Sequence, residues 1–137
     1  MSANSVPRVS AVELQAQRER TASLRLNLVL GCAITVAAAL ALGTPAASVV
    51  SDAELANLLR GMAAIKALIV IGTFCLLHWR FGRSLSPRLA GAYLTGVWLI
   101  AGASAMIWQL AQIAPAAFAF HLGAFVLLAT AWRDRSY

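Results

Sequence analysis

The chain has 137 residues, of which 61% are hydrophobic and 12% charged, and its mean hydropathy is +0.76. Such a composition argues against a water-soluble domain and predicts a membrane protein. In a soluble protein the net charge of +6 would suggest a nucleic-acid partner, but the basic residues flank apolar runs without interleaved aromatic residues, so we expect none.

The first 25 residues are predicted to form a cytoplasmic segment ahead of the membrane domain. Its first ten residues are rich in serine, and we expect them to be disordered. Between residues 10 and 25, Val12, Leu14 and Leu24 stand among glutamine, glutamate and arginine. This pattern is typical of a short amphipathic helix that lies on the membrane surface.

Four apolar runs follow, and each is long enough for a helix to cross a bilayer, which takes ~20 residues and at least about 17. They predict an all-α membrane protein with a four-helix transmembrane bundle over residues 26–132 and a short tail over residues 133–137. The predicted spans cover residues 26–43, 55–79, 88–113 and 115–132.

Local signals indicate where the predicted helices begin and turn. Ser51, followed three residues later by Glu54, is a capping box that places the start of the second helix close behind it. Ser86 and the proline that follows it predict the start of the third helix, with the serine as the cap and the proline at the first helical position. The Ala114–Pro115 pair predicts a very short turn, which would make the third and fourth helices antiparallel neighbours.

The basic residues predict the orientation of the bundle. Nine of the eleven lie before the first span, between the second and third spans, or after the fourth. Because basic residues accumulate in cytoplasmic segments, we expect both termini in the cytoplasm of a bacterium, with the spans in its inner membrane. These nine residues are Arg8, Arg18, Arg20, Arg25, Arg80, Arg83, Arg88, Arg133 and Arg135.

The second predicted helix contains Lys66, the one ionisable residue well inside an apolar span. An ammonium at this depth is costly, and the predicted spans contain no carboxylate to pair with it. At about 100° per residue, a stripe of small residues lies roughly opposite the lysine, on a side that would let another helix approach closely. This small-residue stripe consists of Gly61, Ala64, Leu68, Gly72 and Cys75.

The third predicted helix has small residues on two of its faces, one containing Gly96 and the other Gly102. It can therefore pack closely on two sides, which predicts that it is the central helix. The glycines that we expect at helix–helix contacts are Gly61, Gly72, Gly96 and Gly102.

Catalysis and metal binding find little support in the sequence. None of the five acidic residues falls within a predicted span, which argues against a catalytic triad and against a cation-coupled carrier. Cys75 and His78 share a helix face, but two ligands are too few for a metal site. His78 and His121 are predicted at opposite depths, so we do not expect them to share one haem. We therefore expect no catalytic residue, no metal and no enzymatic activity.

Four polar residues of the predicted outer half are candidates to contact a partner or a ligand: Lys66, Arg60, His121 and Gln109. Such a set would suit an anionic or quinone-like headgroup. The alternative is that Lys66 and Arg60 extend their long stems to the outer membrane surface.

The leading functional hypothesis is a non-catalytic accessory or assembly subunit of a larger inner-membrane complex. Partner helices would then cover the small-residue stripe and complete the surroundings of Lys66. A redox subunit that binds quinone, haem or another cofactor is the second hypothesis, and a homo-oligomeric small transporter or channel is the third. The expected partners are other membrane-protein subunits, further copies of this chain, and lipids, and the leading hypothesis needs no cofactor.

Overall fold

The computed structural model describes residues 11–47 and 51–135. This part of the chain forms four α-helices, and each is long and apolar enough to cross a membrane. The chain is therefore a multi-pass membrane protein, and the prediction of four transmembrane helices is confirmed. The helices are α1 (Ala11–Leu42), α2 (Ala53–Arg80), α3 (Pro87–Trp108) and α4 (Ile113–Asp134).

Helix α1 joins the predicted N-terminal segment and the first span in one continuous helix of 32 residues. At 1.5 Å per residue it is about 48 Å long, so it exceeds the ~30 Å hydrocarbon core of a bilayer. All of residues 11–20 are exposed, so this stretch buries no apolar side against the bundle. Its placement on a membrane surface stays a prediction, and the first ten residues lie outside the described part of the chain.

Helix α2 is capped by Asp52, one residue after the predicted cap Ser51. The Asp52 carboxylate accepts hydrogen bonds from the backbone N–H groups of Glu54 and Leu55 at 3.1 and 3.0 Å. A carboxylate both satisfies free amide donors and interacts favourably with the positive end of the helix dipole, which explains why it takes this position. The predicted start of the helix is thus correct, but the capping residue was wrong.

Helix α3 begins as the sequence predicts, with Ser86 as the cap and Pro87 in the first turn. It ends at Trp108, earlier than the predicted residue 113. The helix stops because Leu110 and Gln112 take left-handed backbone conformations, with φ of 60° and 45°.

The turn between α3 and α4 therefore covers residues 109–112, and not the Ala114–Pro115 pair. Pro115 lies in the first turn of α4, where a backbone N–H has no helical partner to lose. The expected short, antiparallel connection is present, but the proline opens the next helix and does not form the turn.

Helix α3 is the central helix, as predicted, because it packs against α1, α2 and α4. The backbones of α2 and α4 do not approach each other closely in the described residues. The buried core around α3 takes residues from every helix: Leu28, Leu77, Phe81, Tyr93, Leu94, Val97, Ile100, Ala103 and Phe120.

Helices α3 and α4 approach each other closely where two glycines face each other. A Cβ added to Gly96 would lie 2.7 Å from Cγ of Leu127, and one added to Gly123 would lie 2.8 Å from the carbonyl oxygen of Gly96. Real Cβ atoms do not fit at such distances, so both positions require glycine for this packing.

Helix α1 reaches α3 through a second glycine contact. The Trp98 indole lies directly on Gly31, where any Cβ would overlap the ring. Gly102 faces α1 more loosely, since its Cβ would lie 3.6 Å from Cβ of Thr35, an ordinary contact distance.

Candidate functional site

The bundle has two ends, which we name by the residues that they contain. The arginine end contains residues 79–89 and 130–135, where α2 and α4 finish and α3 begins. The glutamine end contains residues 43–47 and 109–112, including the turn between α3 and α4. Side chains of α2 and α4 make two contacts. One lies between the two ends of the bundle, and the other lies at the arginine end.

Lys66 is half-buried and turns toward α4, where its Nζ lies 4.1 Å from the centroid of the Phe120 ring. Phe120 is a buried core residue, so the ring face is shielded from competing contacts. Because Lys66 itself is only half-buried, the cation–π contact is worth ~1 kcal/mol, which offsets part of the ~3 kcal/mol that an ammonium costs at mid-membrane. The Phe120 ring is thus a partner for Lys66, although the predicted spans contain no carboxylate that could pair with the lysine.

Arg80 makes the second contact between α2 and α4, at the arginine end. Its Nε and Nη2 donate to the two carboxylate oxygens of Asp134 at 2.9 and 2.8 Å. The Tyr93 hydroxyl of α3 donates to the same carboxylate at 3.1 Å. This Arg80–Asp134–Tyr93 cluster joins three helices, and a bidentate pair of this kind fixes the guanidinium plane.

The sequence does not predict this cluster, because it places Arg80 among the basic residues that predict orientation and Asp134 in the tail. The cluster depends on the register between α2 and α4, which no local sequence pattern specifies. Lys66 and Phe120 are 54 residues apart, and so are Arg80 and Asp134. Both contacts therefore follow from parallel helices in a single register.

The same register shows that the two histidines lie at different depths. His78 is level with residue 132 of α4, eleven residues beyond His121, which corresponds to about 16 Å along the helix axis. Axial ligands of one haem must flank a single iron atom, and this separation does not fit that arrangement.

His121 is exposed and bonds within its own helix. Its Nδ1 donates to the carbonyl oxygen of Ala117 at 2.7 Å, and its ring stands edge-on to Phe120 with centroids 5.9 Å apart. His121 and Lys66 thus flank one ring, deeper than the glutamine end.

Gln109 of the glutamine end and Arg60 of α2 line one pocket of about 590 Å³. The Gln109 Nε2 donates to the carbonyl oxygen of Leu40 at 3.1 Å. Its Oε1 is buried and has no hydrogen-bond partner in the described residues. The structure therefore divides the four predicted contact residues into two pairs, one in this pocket and one around Phe120.

The small-residue stripe of α2 faces away from the bundle. All five of its residues are exposed. A Cβ added to Gly61 or Gly72 would meet no atom within 4 Å in the described chain. The packing role predicted for these two glycines therefore has no counterpart among the described residues.

Comparison with protein-family models, curated proteins and solved structures finds no match for this chain.

Proposed function

We propose that this protein is a non-catalytic accessory or assembly subunit of a larger membrane complex, and that α2 packs against a transmembrane helix of a partner. The observation that carries the proposal is the exposed small-residue stripe. Its glycines have open space around them, whereas Gly31, Gly96 and Gly123 all lie in close helix contacts.

The energetics of glycine support this reading of α2. Glycine in a helix interior costs ~1 kcal/mol relative to alanine, so it is favoured where close packing offsets that cost. The opposite side of α2 is held by Lys66 over Phe120 and by Arg80 on Asp134. These contacts fix the rotation of the helix and keep the stripe directed outward.

We further propose a bacterial inner membrane as the location, with both termini in the cytoplasm. The support is the concentration of arginines around the arginine end and in α1 ahead of its apolar part. A cysteine placed at the exposed Thr44 would then react with an impermeant reagent added from outside the cell. Labelling from the cytoplasmic side alone would contradict the orientation.

Two glycine substitutions test the proposed role. Gly72→Leu and Gly91→Leu make the same change at exposed positions with open space, but only Gly72 belongs to the stripe. After purification in mild detergent, we expect the parent and Gly91→Leu to retain the same foreign polypeptides and Gly72→Leu to lose them. Circular dichroism should show equal helicity in all three proteins. Equal retention by both variants, or purification of the parent without any foreign polypeptide, would contradict the proposal.

The pocket of Arg60 and Gln109 favours a second candidate function, a redox subunit that binds a quinone or related cofactor. The unpartnered Gln109 Oε1 is an acceptor that suits a hydroxyl donor such as a quinol. Visible absorbance or extractable quinone in the parent, reduced in Gln109→Ala, would support this function. A symmetric homo-oligomer without either would instead support the third hypothesis, a small transporter or channel.

A further inference from the structure

The arginine end contains a cavity of about 860 Å³ between the end of α2, the start of α3 and the end of α4. Three arginines, Arg80, Arg88 and Arg133, line it together with one carboxylate, that of Asp134. We propose that this cavity binds the phosphate of an anionic phospholipid headgroup.

The charges of the cavity do not balance within the described residues. Asp134 is the one acid in its lining, and that carboxylate is already engaged by Arg80 and Tyr93. Arg88 and Arg133 are exposed at the cavity and add two positive charges that no lining residue offsets. A bound anion is thus favoured, and one with two negative charges more than one with a single charge.

The donors of the cavity suit phosphate in particular. Arginine presents a planar fork of N–H groups that matches phosphate oxygens. Arg80 is held in place by its bidentate bond, and its Nη1 is buried with no hydrogen-bond partner in the described residues. Ser86, which caps α3, also lines the cavity, so the positive end of the α3 dipole points toward the same space.

The position of the cavity identifies a lipid as the source of the phosphate. Trp79 and Trp132 are exposed at the same end of the bundle, with 61% and 79% of their surface accessible. Tryptophans at such positions mark the level of the lipid headgroups. Leu85, Leu89 and Ala92 add apolar wall to the cavity, which a lipid backbone can contact and a free phosphate ion cannot use.

Arg133 and Arg135 provide a matched test of the site. Both are exposed arginines at the end of α4, but only Arg133 lines the cavity. The parent, Arg88→Gln, Arg133→Gln and Arg135→Gln would be delipidated in detergent and titrated with cardiolipin, which carries two phosphates. Phosphatidylcholine and inorganic phosphate serve as separate titrants.

We expect cardiolipin to bind the parent, and Arg88→Gln and Arg133→Gln each to raise its Kd about tenfold, since each removes a charged hydrogen-bond donor. Arg135→Gln should change the Kd less than about twofold. Arg135 does not line the cavity, so its charge acts on a bound lipid only through solvent and salt, which screen it. Unchanged melting temperatures would show that the variants are folded.

Three results would overturn the proposal. If Arg133→Gln and Arg135→Gln weaken binding equally, the attraction is a general one to the basic end. If inorganic phosphate binds as tightly as cardiolipin, the site takes a free anion and not a lipid. If phosphatidylcholine binds as well as cardiolipin, the arginines select no headgroup.

Discussion

Glycines on α3 and on α2 have the same predicted role but opposite surroundings. Gly96 is buried against Gly123 and Leu127 of α4, whereas Gly61 and Gly72 are exposed with open space at each Cβ position. A stripe of small residues thus indicates that a helix can be approached closely, but not which chain supplies the approaching helix. In α3 the neighbour is α4, and for α2 the described chain supplies none.

The two sides of α2 show the same contrast within one helix. The side with Lys66 and Arg80 is attached to α4 by two electrostatic contacts. Within residues 11–47 and 51–135, the side with the small-residue stripe makes no comparable contact. A helix attached on one side and open on the other presents a fixed surface to its surroundings.

Disrupting the close contact of Gly96 with α4 should have the largest effect on stability. Gly96→Leu places a branched side chain where even a Cβ would lie 2.7 Å from Leu127, so we expect a loss of about 3 kcal/mol in unfolding free energy. Gly91→Leu, on the same helix with open space around it, should lose no stability. Denaturant unfolding in detergent, followed by circular dichroism, measures both. Equal stability of the two variants would contradict the close approach of α3 and α4.

Removing the Asp134 carboxylate should have the next largest effect. Asp134→Asn leaves Arg80 without its ion pair, and because both side chains are partly exposed we expect a loss of about 1–2 kcal/mol. Tyr93→Phe removes only one hydrogen bond to the same carboxylate and should cost about 1 kcal/mol or less. If Tyr93→Phe destabilised the protein more than Asp134→Asn, the ion pair would not be the main contact of the cluster.

The contact between Lys66 and Phe120 is best measured as a coupling. A double-mutant cycle of Lys66→Met and Phe120→Leu should give a coupling free energy of about 1 kcal/mol. The same lysine substitution combined with Phe125→Leu, on an exposed side chain of α4, should give a coupling near zero. Equal coupling in both cycles would mean that the ammonium does not rest on the Phe120 ring.

Gly102→Ala should have the smallest effect of the series. The added Cβ would meet Thr35 at 3.6 Å, an ordinary contact, so we expect a change within about 0.5 kcal/mol. A loss as large as that of Gly96→Leu would show that α1 and α3 pack more tightly than the distances indicate.

The transmembrane helices could be predicted from the sequence, because apolar length and flanking charge decide them locally. The end of α3 could not, since Pro115 is equally compatible with a turn and with the first turn of a helix. The partners of Lys66 and Arg80 depend on the register of α2 against α4, which no local pattern specifies. Gly123 was missed for the same reason, because its need for glycine arises only where Gly96 meets it.

The most direct test of the central claim, that the small-residue stripe of α2 is an open interface for a partner helix, is photo-crosslinking in the membrane. Leu68 and Ile69 are adjacent and both exposed, but Leu68 belongs to the stripe and Ile69 points about 100° away from it. A photoreactive amino acid at position 68 should form a crosslink to a discrete foreign polypeptide, and one at position 69 should yield lipid adducts only. Equal crosslinking to polypeptide at both positions, or none at position 68, would contradict the account.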